Sequence, residues 1–465
     1  MGGKDLFTRY FRATLTQSVI IGILSFTQPG IWSAIANLGA GGLQSVNTSN
    51  TANAILFGIM VVFAPFYAVL INKFGVKPVV SVGTIGYVFW SAGLYKNSKD
   101  GSEALIIAGA VLCGISAAAF WTSEATVAIL YPEPSQRGKF ISIWQAINKV
   151  GGLIAGAITL AMNISGSTSG SVSLNTYVAL LSIQCLGLPI SFLLSPPEKL
   201  LRTDGKRLIS NKTGATWKDE FRLFGKIFMK KEVLAMAPFY MSIVWYGTYQ
   251  SNYVTHHFSV RARALNSLLT ALIGAFTDVL SGIILDMSYF KRSTRVKGGW
   301  VVTVVFMTAY FIYSFILQKQ FDDNPETGID WSGNPRFNKA FIPVQIFKIG
   351  PELGFTWAYW VIGAYQFSSS EIPHVSATIR SLESLGQCFA FVVGTVNESD
   401  MTNLAVSAAV FFASVIPTTY IVLQANDDVI HGVIEDSDDG EIDSDKNVSL
   451  EVTNVAAVDL KSDSQ

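Results

Sequence analysis

Charge is what this 465-residue chain has little of: 14% of its residues are Asp, Glu, Lys or Arg, against about 25% in a soluble domain. The 33 basic and 33 acidic residues cancel, which excludes a nucleic-acid binder with a basic face. Three cysteines cannot build a disulfide framework. His256, His257, His374 and His431 show no metal-ligand spacing with Cys or acids, so neither metal nor cofactor is expected. Glycine-rich phosphate loops and the Gly-x-Ser-x-Gly nucleophile motif are missing as well, and no enzymatic activity is expected. What is present is apolar surface, 50% of residues being hydrophobic, and its distribution points to a lipid bilayer as the solvent.

An apolar helix needs about 20 residues to cross roughly 30 Å of hydrocarbon. Twelve such stretches can be placed: 15–37, 52–72, 78–95, 104–131, 140–162, 174–194, 233–253, 264–287, 298–317, 340–366, 374–396 and 403–424. Several carry Gly or Pro (Gln28-Pro29-Gly30, Pro65, Pro189, Pro351), which membrane helices tolerate when neighbours satisfy the freed backbone. The expected fold is all-α, a polytopic membrane protein with 12 transmembrane helices in two six-helix bundles. The expected organisation is an N-terminal bundle over 1–194, a basic cytoplasmic linker over 195–232, a C-terminal bundle over 233–424 and an acidic disordered tail over 425–465. No short apolar run with a small-residue cleavage site opens the chain, so the first span is expected to target it.

Lys and Arg in short loops set orientation. With the N-terminus in the cytosol, 21 basic residues fall in inner segments, including Lys73, Lys77, Lys291 and ten of the linker, against 7 in outer loops. Both termini are therefore expected to be cytosolic. The tail from Asp427 to Asp463 carries twelve acids against Lys446 and Lys461, too little apolar surface to fold. No retention signal marks the compartment, so plasma membrane, vacuole, Golgi and endoplasmic reticulum stay open.

The two halves echo each other. Ala68-x-x-x-Asn72-Lys73-x-Gly75-x-Lys77 between spans 2 and 3 is matched between spans 8 and 9 by Gly282-x-x-x-Asp286, with Lys291 five further on. Gln145-x-x-Asn148-x-x-Gly151 in span 5 is matched by Arg380-x-x-Glu383-x-x-Gly386 in span 11, a spacing that lines up roughly one helical face. The first pattern resembles the signature loop of the major facilitator superfamily. That resemblance implies a loop that lets two helices approach closely and uses charge to hold the cytoplasmic side shut. Ala68 stands where that signature has Gly, and Asn72 where it has Asp, which keeps a hydrogen bond but not the charge; Asp286 retains it. A duplicated six-span unit with a midplane binding site between halves is the architecture the resemblance implies.

A narrower resemblance rests on Phe26-Thr27-Gln28-Pro29-Gly30-Ile31-Trp32, Leu38-Gly39-Ala40-Gly41-Gly42, Trp121-Thr122-Ser123-Glu124, Arg137-Gly138-Lys139-Phe140 and Trp357-Ala358-Tyr359-Trp360. The chain is similar to the Unc-ninety-three-like family of ion-channel regulatory proteins, in its fungal branch. That family includes a potassium-channel accessory subunit and an escort of Toll-like receptors, so the resemblance implies a membrane-protein partner as one alternative.

Ionisable residues inside spans are costly and by default functional. Glu124, Lys149, Asp278, Lys348, Glu352, Arg380 and Glu383 are such residues. Lys149 lies about ten residues from its helix start, near the midplane. Spans 4 and 5 are consecutive, so Glu124 and Lys149 are expected to pair, as a switch or as a permanent bridge. Lys348 and Glu352, four apart, are expected to neutralise each other. Arg380 is expected to snorkel to the interface, Glu383 to face the cavity, and Asp278 to support the signature loop. Trp121, Trp144 and Asn148 are the expected cavity wall, while Trp245, Tyr246, Trp357, Tyr359 and Trp360 are assigned to interfacial belts. The function read from these residues is secondary transport of a small solute, proton or ion by alternating access. The alternative is a non-transporting regulator or escort of another membrane protein.

Overall fold

The computed structural model describes residues 8–43, 45–132, 137–202, 216–287, 289–362, 370–396 and 399–425. Among them the chain is helical, with only two isolated bridges and no named strand. Twelve helical segments run in order: Thr14–Ala36, Val46–Phe74, 76–100, Ala104–Leu130, Arg137–Asn163, 174–191, 231–257, Val260–Asp286, Arg292–Asp323, 337–362, Ile372–Val396 and Asp400–Leu423. They correspond to the twelve expected spans and keep that numbering. Several are longer than the apolar stretch alone, span 9 most of all, because the helix continues past the hydrocarbon. Eight are long and apolar enough to cross a membrane unaided. The others, spans 3, 7, 10 and 11, are interrupted or polar; Arg380 and Glu383 lie in span 11, and span 10 breaks at Lys348.

Local chemistry explains the interruptions. Pro29 has no N–H to donate, and span 1 widens to a π turn over Phe26–Gly30 around it. Span 2 ends at Gly75, whose φ of +86° suits glycine and whose N–H caps Ile71 O at 2.9 Å. A further helix, Trp217–Phe228, lies in the linker and begins with a capping box between Thr216 and Asp219.

Two hydrophobic cores form. One gathers Ile21, Leu24, Trp90, Phe120, Tyr131 and Tyr177 of the first six spans. The other gathers Met236, Phe239, Trp300, Phe311, Trp357 and Phe411 of the last six. In the second, Trp300 stacks on Trp357 at 5.2 Å and takes the edge of Phe239 at 5.0 Å. Trp357 and Trp245, assigned to interfacial belts from sequence, are buried; for Trp357 aromatic packing in the core outweighs the interface.

The span 5 and span 11 echo has a structural meaning. A Cβ on Gly151 would stand 2.7 Å from Phe26 O in span 1, and one on Gly386 only 2.1 Å from Met241 O in span 7. Each glycine therefore lets the fifth helix of its six press against the first. Across the two sets, span 5 meets span 8, where a Gly156 Cβ would lie 2.8 Å from Leu268 Cα. Span 2 meets span 11, where Phe57 stacks on Phe391 at 5.8 Å and Ser381 Oγ donates to Val61 O at 3.2 Å.

Candidate functional site

Among the described residues, the intramembrane charges named from sequence gather in three clusters. In the first, Glu124 is fully buried and its Oε2 accepts from Ser25 Oγ at 2.5 Å and Trp144 Nε1 at 3.3 Å. Trp144 Nε1 also donates to Ser25 Oγ at 2.8 Å, and Asn148 Nδ2 reaches Ser25 O at 3.5 Å. Ser25 precedes the π turn, so the proline break places this hydroxyl against spans 4 and 5. Glu124 Oε1 has no partner among the described residues, an unusual state for a buried carboxylate oxygen.

The second cluster corrects the expected Glu124–Lys149 pair. Lys149 turns instead across the interface between the two halves, to Asp278 of span 8 at 3.1 Å and Glu352 of span 10 at 3.1 Å. Consecutive spans share a boundary, yet side chains on one helix point in many directions, and Lys149 faces span 8. Asp278 also accepts from Thr356 Oγ1 at 2.8 Å, so it serves this cluster rather than the signature loop. Glu352 receives Lys348 at 3.4 Å, the expected pair, and Lys348 donates to Tyr246 Oη at 2.5 Å. Two ammonium groups and two carboxylates balance. A Cβ on Gly274 would come within 3.2 Å of Lys149 Nζ, so glycine there leaves room for the ammonium.

The third cluster corrects Arg380. It does not snorkel; it is buried, its Nη1 donates to Glu383 Oε2 at 2.8 Å, and its guanidinium lies 4.0 Å over Trp121 of span 4. Tyr359 and Phe355 complete the surround at 5.2 and 5.7 Å. Stacking on aromatic faces holds the cation where water is scarce. Trp121 therefore serves Arg380 across the two halves, while Trp144 and Asn148 serve Glu124.

Both ends of the span 5–span 8 and span 2–span 11 contacts carry polar seals. Opposite the linker, buried Arg263 at the start of span 8 donates to Leu38 O, Gly39 O, Leu43 O and Gly170 O at 2.7–2.8 Å. Asn266 and Ser267 continue the row to Asn37 O and Ala34 O, each at 2.7 Å. At the linker end, Asn72 Nδ2 donates to Glu220 Oε2 of the linker helix at 3.0 Å and to Ser370 O at 3.2 Å. His374 Nε2 donates to the same Glu220 oxygen at 2.8 Å. Lys73 sits 5.3 Å over Trp217, and Lys77 Nζ donates to Phe192 O at 2.8 Å.

The signature-loop residues thus divide. Ala68 is fully buried and Gly75 caps span 2. A Cβ on Gly282 would meet nothing within 4 Å, so no close helix approach occurs there. Lys291 is exposed, and the side chain of Asp286 lies outside the described residues, as does the tail from 426 on. Sequence reasoning missed Ser25, Arg263, Glu220 and His374. Arg263 was counted as a loop charge; the amphipathic run Phe221, Phe224, Phe228 beside the Thr216-x-x-Asp219 cap was the available signal for the linker helix.

The model of the Major Facilitator Superfamily matches residues 13–395. The chain is 29% identical over 426 residues to "Notoamide biosynthesis cluster protein O'" of Aspergillus versicolor, covering 91% of each chain. It is 24% identical over 418 residues to an UNC93-like protein of Schizosaccharomyces pombe, covering 89% of this chain and 82% of that one. Among solved structures, the xylose transporter of E. coli in a partially occluded inward-open conformation matches with a TM-score of 0.58 at 12% identity, over 89% of this chain and 99% of that one. The chain belongs to the Major Facilitator Superfamily, as a multi-pass membrane protein similar to UNC93-like proteins of fungi and plants.

Proposed function

We propose that this protein is a secondary transporter of a small solute, its halves 1–194 and 233–424 rocking about a midplane site with the linker end in the cytosol. The observation that carries the reading is the Lys149 ammonium held between Asp278 and Glu352 of the other half. Buried ion pairs are costly to form and costlier to leave half-made, so a permanent scaffold gains little from one set across a seam. A seam that opens and closes gains two alternative states. Glu124, with one buried oxygen unpartnered, supports a site for solute, proton or ion walled by Trp144 and Asn148.

The test is uptake of an isotope-labelled mixture of small metabolites into vesicles reconstituted with the protein. Lys149→Met is expected to cut the protein-dependent uptake at least tenfold, about one broken charge-assisted contact. Unchanged flux from correctly inserted Lys149→Met would reject transport through this cluster. A second reading, a regulator or escort of another membrane protein, is favoured by Asn72, which removes the charge from the first signature loop. Recovery of one stoichiometric membrane partner in mild detergent, with no uptake of any label, would support that reading instead.

A further inference from the structure

The carboxylate that the first signature loop lacks is present at the same place, on a different element. Asn72, at the last turn of span 2, is 4% exposed, and Glu220 of the linker helix is 2% exposed. Glu220 Oε2 accepts from Asn72 Nδ2 at 3.0 Å and from His374 Nε2 of span 11 at 2.8 Å. One oxygen therefore ties the end of span 2, in the first half, to the start of span 11, in the second. The rest of the helix is built to hold it there. Phe221 sets its edge on Phe66 of span 2 at 5.2 Å, Phe224 packs 6.3 Å from the His374 ring, and Trp217 lies under Lys73. Just after the helix, Lys230 pairs at 3.2 Å with Glu371, the residue immediately before span 11. The capping box at Thr216 fixes where the helix starts, and so which turn presents Glu220.

We propose that the linker helix is a latch across the seam between the halves, with Glu220 the positioning residue that replaces the missing signature-loop carboxylate. The covalent linker between the halves thereby carries the closing contact itself, and opening at this end requires the helix to release Asn72 or His374. This rests on the two halves moving as proposed above.

Spin labels at Leu193→Cys and Tyr289→Cys test it, with Cys185 and Cys388 replaced by Ser. Leu193 and Tyr289 are 49% and 88% exposed at the linker ends of the two halves, so pulsed electron resonance between them reads the width of the seam in the full-length protein. Glu220→Ala is expected to raise the ratio of long to short distances about tenfold or more, the size of one lost charge-assisted hydrogen bond. Asn72→Asp alone sets two carboxylates face to face and is expected to widen the seam as well. The pair Asn72→Asp with Glu220→Gln moves the charge back into the loop and is expected to return the ratio to within about twofold of the parent. If Glu220→Ala leaves the distances as in the parent, or the relocated charge fails to restore them, the latch is wrong. The relocated pair keeps both side chains near their size, so it decides the matter even where Glu220→Ala does not fold. Arg263→Met, which loosens the opposite end, separates the two levels: if it shifts the distances and Glu220 variants do not, only the latch fails. If no variant shifts them, the moving halves fail too.

Discussion

Asp330 shows how much one carboxylate organises at the end opposite the linker. It accepts from Ser259 Oγ at 2.7 Å, Arg261 Nε at 2.8 Å and Ser332 Oγ at 2.6 Å, and Arg261 also lies 4.7 Å over Trp331. Hydrogen bonds from Arg261 hold the Asp330 carboxyl well below its ordinary range, against the opposing effect of burial. The folded state thus favours the ionised form more than the unfolded chain does. Stability from this group is present above the ordinary carboxylate pKa near about 4 and is lost as pH falls toward the folded value. Asp330→Asn is therefore expected to lower the melting temperature in detergent at pH 7. The gap to the parent should shrink steadily below about pH 4. A gap of constant size down to pH 3 would assign the loss to shape rather than charge.

Elements reveal what a sequence pattern encodes and what it leaves out. The spacing of three in Asn148-x-x-Gly151 and Glu383-x-x-Gly386 was legible because a repeat shows itself without any knowledge of neighbours. Its glycines prove to be contact points, at 2.7 Å and 2.1 Å from backbone oxygens of spans 1 and 7. Valine at Gly151 or Gly386 is expected to cost about 1–3 kcal/mol, the usual penalty of overpacking, measured as a lower melting temperature. Gly282→Ala, with open space around it, is expected to be neutral or slightly stabilising. A Gly282→Ala loss as large as that at Gly386 would show that the second signature loop does pack closely. The partners of the buried charges were not legible in the same way. Periodicity gives the face of a residue on its own helix, not which helix that face meets, so Lys149 was paired with its sequence neighbour Glu124 rather than with Asp278 and Glu352. Arg380 was placed by its distance from the span end, whereas the aromatic rings of Trp121, Tyr359 and Phe355, from two other spans, decide its position.

At the scale of the whole molecule, the two seals act on one equilibrium from opposite ends. Span count and sidedness were legible because lipid imposes length and loop charge imposes direction. The seals were not, since they join residues far apart in the chain, such as Asn72 with Glu220 and Leu38 with Arg263. Arg263 spends its guanidinium on four backbone oxygens of the first half, and no other described side chain meets more than one of them. Arg263→Met takes the side-chain donor from Leu38 O, Leu43 O and Gly170 O, while Gly39 O keeps the Gly42 N–H at 2.8 Å, a loss of about 1–3 kcal/mol or more in the sealed state. Water reaches them once the seal parts, so the loss favours opening at that end. Labels at Ile164→Cys and Val396→Cys, 51% and 81% exposed, are expected to move apart while those at Leu193→Cys and Tyr289→Cys draw together. Glu220→Ala is expected to do the reverse, and the two changes combined to offset each other, because a single rocking coordinate cannot open at both ends. Widening at both ends in the double variant would mean that the ends are independent, and a rigid rocking of the halves would then be the wrong description of this molecule.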